Sequence, residues 1–273
     1  MHVKNLRGGT SFSEPSPERL KEAMAKLTDY GIWLGEKAKA ISEAFEEIQK
    51  NFAEPFSKIV ARLAQLPGNI EKIQEGLAEK GWFVLAEMPL DEYFKLGKML
   101  DEGKSDEIDE LMVQWTYHLM DETLDKLCVD FPDREPLIQE GFQNHRDGRY
   151  ASAITLLLTQ ADGICSDSLG QVFFLNKDKL PKIKWIIDDL GVQVLAKITL
   201  LPVLIKSGIN ANDSEVAAGQ YPDSPHRHGI LHGTIKDYAT ELNSLKIISF
   251  VGFMGVMVHS IVVEAKAATA AAP

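Results

Sequence analysis

Between Ser224 and Gly233 the chain reads Ser-Pro-His-Arg-His-Gly-Ile-Leu-His-Gly, the densest gathering of reactive side chains in its 273 residues. Ser224 is expected to cap a short helix with Pro225 in its first turn, and Gly233 to end that helix in a left-handed conformation. On such a turn His228 and His232 lie four residues apart and share one face. Imidazole titrates near neutrality and suits proton transfer, while the adjacent Arg227 offers a planar fork of donors for a phosphate. Three chemistries follow: phosphodiester or nucleotide work by Arg227 and His232, a structural histidine network, or a transition-metal site. The metal alternative is the least complete, because the glutamate of an HExxH helix is missing and no third ligand follows at a recognisable spacing.

A second polar run, His145-Arg146-Asp147-Gly148-Arg149-Tyr150, reads as a charged turn between helices or as a rim of RNA contacts. Tyr238 is a candidate for stacking on a base. There is no GxxxxGK phosphate loop or dinucleotide fingerprint, and Ser166 and Ser168 lack a GxSxG context. No cofactor is expected.

The elements that must carry these groups read as helices. Ser16-Pro17-Glu18 is a helix start, and Leu20, Met24, Leu27, Ile32, Leu34, Ile41, Phe45 and Ile48 recur at roughly helical spacing. Phe52–Leu66 continues that character past Pro55; Pro67-Gly68-Asn69 reads as a turn, and 70–80 as a short helix. Residues 81–90 read as a packed connector or a short strand, the connector being favoured because no neighbouring run offers a hairpin partner. The acidic run 101–110 leads into a helix bearing Leu111 to Leu127, and helices are expected over 135–145 and 149–169. One or two more should fill 180–209 with a kink at Pro202, followed by a loop-rich stretch to Tyr221 and a last long helix from about Asp237. The fold expected is all-α: amphipathic N-terminal helices and a connector over 1–90, a bundle over 95–263, and a flexible Ala-rich tail over 264–273.

Composition limits the function. At 45% hydrophobic and 25% charged residues the chain is of folded type, and its formal charge of −11 argues against a sequence-indifferent nucleic-acid coat. An enzyme that concentrates a few basic groups in one cleft is still allowed. Two cysteines, Cys128 and Cys165, form no metal or disulfide framework and fit a reducing cytoplasm. Met1–Ser16 does not resemble a secretory signal. The apolar runs 190–209 and 245–263 are expected to lie in a helical core rather than in a bilayer, since they lack aromatic belts and strong basic flanks.

Arg227-His228-Gly229-Ile230-Leu231-His232 resembles the Arg–polar–three residues–His motif of HEPN-superfamily helical domains. Hydrophobic helices before it and one long helix after it extend the resemblance over about 134–263. Many members of that superfamily are metal-independent ribonucleases that act as dimers in toxin–antitoxin, phage-defence or RNA-processing systems, whereas others are inactive. The resemblance implies catalytic roles for Arg227 and His232, support from His228 and from Asp162 on an earlier helix, and a homodimer that cleaves RNA by attack of the 2′-hydroxyl. A cognate antitoxin or defence protein is an implied partner. The principal alternative is a noncatalytic helical interaction or defence-regulatory protein whose Arg–His turn binds a ligand or another protein, and a metal-dependent hydrolase is the third reading.

Overall fold

A computed structural model describes residues 68–270, and the amphipathic helices expected before residue 67 lie outside that range. Over the described residues the fold is all-α, with a single two-residue hairpin as its β-structure.

Within the described residues helix α1 runs to residue 79 and already includes Gly68 and Asn69, expected in a turn. Gly81 adopts φ +79°, and the following connector is buried throughout Trp82, Phe83, Val84 and Leu85. Its backbone is held by the core: the Phe83 N–H donates to Ser249 Oγ at 3.3 Å. Residues 68–90 therefore belong to the bundle. Helix α2 (Leu90–Asp101), which the sequence reading did not anticipate, precedes the longer α3 (Ser105–Asp130). The charged stretch 101–110 is split between them by a turn at Gly103, φ +68°.

The core then assembles by helical periodicity. Helix α3 buries Ile108, Met112, Thr116, Leu119, Thr123 and Leu127, one stripe recurring every three to four residues. Helices α4 (Glu135–Arg146) and α5 (Tyr150–Leu169) fall where the sequence places them. The last helix, α11 (Glu241–Ala270), is buried on almost every side from Ser244 to Gly252 and packs on both α3 and α5. It starts at Glu241 rather than Asp237, because Thr240 supplies the cap by accepting the Asn243 N–H at 3.1 Å. The Ala-rich segment from 264, expected as a flexible tail, is helical as far as Ala270.

Helix α11 is long and apolar enough to cross a membrane by length and composition, but 72% of its most apolar window is buried inside the protein. An all-round apolar helix is what the centre of a bundle requires. Phe250 sits 4.8 Å from Phe83 and 5.3 Å from Phe173, ring to ring. A wide π-helical stretch, Phe253–Val258, interrupts α11 where Gly255 meets α3; a Cβ there would lie 2.1 Å from Leu127 Cδ2.

Between α5 and α11 the chain is made of short pieces. A hairpin pairs β1 (Asn176–Lys177) with β2 (Leu180–Pro181). Helices α6 (Ile183–Asp189), α7 (Val194–Thr199), α8 (Leu201–Leu204), α9 (Asp213–Ala217) and α10 (Arg227–Leu231) follow. Pro202 opens the first turn of α8, where its missing donor costs nothing, and so does not kink a longer helix. The stretch expected to be loop-rich contains α9, which starts with a reciprocal capping box between Asn212 and Glu215.

Phe250→Ala should lower unfolding stability by about 3–5 kcal/mol, the usual cost of emptying a buried aromatic site. Urea denaturation followed by circular dichroism checks this, and a loss under about 1 kcal/mol would mean that the aromatic cluster is not the centre of the core.

Candidate functional site

Helix α10 holds Arg227 and His228, and His232 is its C-terminal cap. The expected capping by Ser224 does not occur. His226 is the N-terminal cap and makes no side-chain capping bond, while Ser224 Oγ reaches only the Pro225 carbonyl at 3.4 Å. Gly233 does take the left-handed conformation, φ +70°.

What fixes this short helix is the packing beneath its leading loop. Ser224, Pro225 and His226 are buried. They run between two glycines: a Cβ on Gly208 would come within 2.1 Å of Ser224 Cβ, and one on Gly81 within 2.7 Å of Pro225 Cδ. The His226 ring nitrogen Nδ1 lies 3.3 Å from the Gly208 carbonyl. Lys246 of α11, 1% exposed, donates to the Asp223 carbonyl at 2.7 Å, and its ammonium lies 3.7 Å from Asp109 and 5.4 Å from the Trp82 ring centre.

On this base Arg227 points to α5. Its guanidinium stacks over the Phe174 ring at 4.6 Å and stands 3.9 Å from Asp162 Oδ2. Asp162 is itself oriented, because Oδ1 accepts the Phe174 N–H at 3.1 Å. The Arg227 side chain is 27% exposed, and its Nε is buried without a hydrogen-bond partner. The guanidinium is therefore aimed by a ring and a carboxylate without being saturated by them.

The histidines form a second line. His228 and His232 rings approach to 4.3 Å, and His228 Nε2 lies 3.3 Å from Asp213 Oδ2 on α9. His232 is exposed. The structure thus joins Arg227 to Asp162 and joins His232 to His228, with Asp213 as an acid behind the pair. Asp213 and Phe174 were not singled out from the sequence. Asp213 follows Asn212 in the capping-box pattern Asn-Asp-Ser-Glu, a local signal of a helix start. Phe174 carries no comparable signal.

The second polar run does not join this centre. His145, expected on an RNA-contacting rim, is buried, and its Nδ1 lies 2.8 Å from Ser244 Oγ. Arg146 is paired with Asp121 at 2.5 Å, and Arg149 with Asp147 at 2.9 Å and Asn144 at 2.7 Å. This turn opens α5 twelve residues before Asp162, a rise of about 18 Å along the helix. Tyr238 is half-buried, and its carbonyl accepts Asn243 Nδ2 at 3.0 Å. Among the described residues no three His, Cys, Asp or Glu side chains are grouped to hold a metal ion.

No family model matches the chain, and no curated protein or solved structure does so either.

Burial holds both His226 and His145 below the ordinary imidazole pKa; backbone carbonyls of Gly208 and Tyr221 oppose the shift at His226, and Glu241 opposes it at His145. The unfolded chain takes up these protons near pH 6.5, before the folded state does. Their contribution to stability is thus complete above about pH 6.5 and declines as pH falls below it. Urea midpoints should drop between pH 7 and pH 5, and His226→Gln should flatten that drop. An unchanged slope in the variant would contradict the burial of a neutral His226.

Proposed function

We propose that the protein is a metal-independent, HEPN-like endoribonuclease that cleaves RNA through Arg227 and His232. The observation that carries this reading is the state of Arg227: oriented by Phe174 and Asp162, partly exposed, and at 3.9 Å too far from Asp162 for a hydrogen bond, which leaves its terminal nitrogens for an oxyanion. An exposed imidazole, His232, caps the same single-turn helix.

In the reaction, His232 takes the proton of a ribose 2′-hydroxyl. The 2′-oxygen bonds to phosphorus, the bond from phosphorus to the 5′-oxygen breaks, and that oxygen takes up a proton. Arg227 stabilises the charge that accumulates on the phosphoryl oxygens, an effect worth about 10²–10³ in rate where one such donor is removed. His228, between Asp213 and His232, orients the imidazole. In a two-fold dimer a second His232 supplies the acid for the leaving oxygen. The setting that goes with this reading is cytoplasmic, as the two unpaired cysteines suggest, and of the toxin or phage-defence kind, as the motif resemblance implies.

Purified protein in excess chelator should cleave single-stranded RNA to products ending in 2′,3′-cyclic phosphate. His232→Ala should lower the rate by about 10²–10⁴, and Arg227→Ala by about 10²–10³, each with the wild-type circular dichroism spectrum. Asp213→Asn should cost far less, because its pair with His228 is solvent-exposed. Failure to cleave varied RNAs, or equal cleavage by His232→Ala, would instead favour a noncatalytic binding role for this turn.

A further inference from the structure

Most described lysines already have a carboxylate. Lys72 is paired with Asp101, Lys98 with Glu102, Lys104 with Glu107, Lys197 with Asp188, and Lys206 with Glu215. Lys177, Lys179 and Lys182 are different: all three are exposed, and none has an ion-pair partner among the described residues. They lie within six residues on the hairpin and just after it, where Asp178 is the sole acidic residue. In a chain of net charge −11, this is a local surplus of positive charge.

The hairpin is also fixed to the candidate site. Phe174, two residues before β1, is the ring under Arg227, and its N–H is held by Asp162. The Lys182 N–H donates to the Leu175 carbonyl at 2.7 Å and closes the base of the hairpin. At about 3.3 Å per residue, even the tip at Lys179 stands within roughly 17 Å of Phe174. On its other side the tip approaches α9. Burial raises the pKa of the Glu215 carboxyl, but the Asn212 N–H, Lys206 and the charge of Lys179 together hold it below its ordinary value. Helix α9 also presents Asp213 to His228. Lys236, exposed and likewise without an ion-pair partner among the described residues, follows His232 by four residues.

Two details bear on ligand chemistry. Asp178 and Lys179 take φ 51° and 67°, the pair of left-handed residues for which Asn-Gly is the usual solution. A lysine there is strained where glycine is not, so the tip carries a charge where glycine would fold more easily. Lys177 lies 5.1 Å from the Trp185 ring centre, bringing an aromatic surface next to the ammonium. An ammonium beside a ring suits a single-stranded polyanion that has bases to stack.

We propose that the hairpin Asn176–Pro181, with Lys182, is an arm that binds the backbone of single-stranded RNA beside Arg227 and His232. The identity of the polymer rests on the ribonuclease reading; the surplus charge and its attachment to Arg227 do not. Lys177, Lys179 and Lys182 contact phosphates on the flank of the scissile bond.

The test uses the full chain carrying His232→Ala and a short fluorescein-labelled poly(U) RNA, with binding followed by anisotropy across a salt series. Adding Lys177→Gln, Lys179→Gln and Lys182→Gln should weaken binding about tenfold or more. It should also make the log–log salt dependence shallower by about 2, since each phosphate contact to a single strand contributes about 0.7. The control Lys72→Gln, Lys95→Gln and Lys98→Gln changes net charge equally and should leave both quantities near the parent values. Lys179→Gly should weaken binding while keeping or raising the melting temperature, which separates loss of charge from loss of fold.

If the parent binds RNA but the hairpin variant keeps its affinity and salt slope, the arm is overturned even where the wild-type protein cleaves. Equal losses in the hairpin and control variants overturn it too, and so does an absence of RNA binding by the parent. If binding depends on the hairpin but the wild-type protein cleaves nothing, the arm stands and the ribonuclease reading falls.

Discussion

One buried ammonium ties the bundle to its candidate site. Lys246 lies on the central helix in surroundings that disfavour its charge, and burial lowers its pKa while Asp109 and Asp223 oppose the shift. A charge in that position must be compensated, and removing one partner of a buried pair costs about 3–5 kcal/mol. Three separate segments meet that demand: Asp109 from α3, the ring of Trp82 from the connector, and the carbonyl of Asp223 from the loop leading to Arg227. Trp82 Nε1 in turn donates to Asp109 at 2.6 Å. The core therefore sets the position of the loop that presents Arg227 and the histidines.

The rest of the molecule divides by how well it can hold such a position. Helices α3, α4, α5 and α11 are long, share apolar stripes and make a rigid frame. The segments between α5 and α11 are too short to be stable alone, since an isolated helix needs about 12–15 residues to be even marginal in water. Caps, glycine contacts and tertiary packing hold them. That arrangement puts polar chemistry on short elements over a packed base, with Asp162 projecting from the frame to meet Arg227.

Charge is distributed on the same plan. The overall acidity comes from exposed carboxylates, many of them locally paired with lysine. At the candidate site the balance changes: Arg227 is only loosely engaged by Asp162, and none of the hairpin lysines forms a close ion pair among the described residues. Screening over about 10 Å at ordinary ionic strength makes such local imbalance matter more to a docking polymer than net charge does.

The sequence by itself determined the all-α class, helices α4 and α5, the burial of the last apolar helix and the short helix ending at Gly233. Each rests on local periodicity or on a turn residue with a direct physical meaning. Helix α2 was not legible from the sequence, and neither was the hairpin, whose left-handed Asp178 and Lys179 replace the usual turn residues. Of the site, Arg227, His228 and His232 could be read from their spacing. Their partners could not: Phe174 and Asp213 are 53 and 15 residues from Arg227 and His228 in the chain, and only packing brings each pair together. His145 reads in sequence like its exposed arginine neighbours, but the fold turns it inward to Ser244. The backbone pattern sets which way a helix faces; what a polar side chain meets there is decided by a second segment whose approach only the tertiary structure specifies.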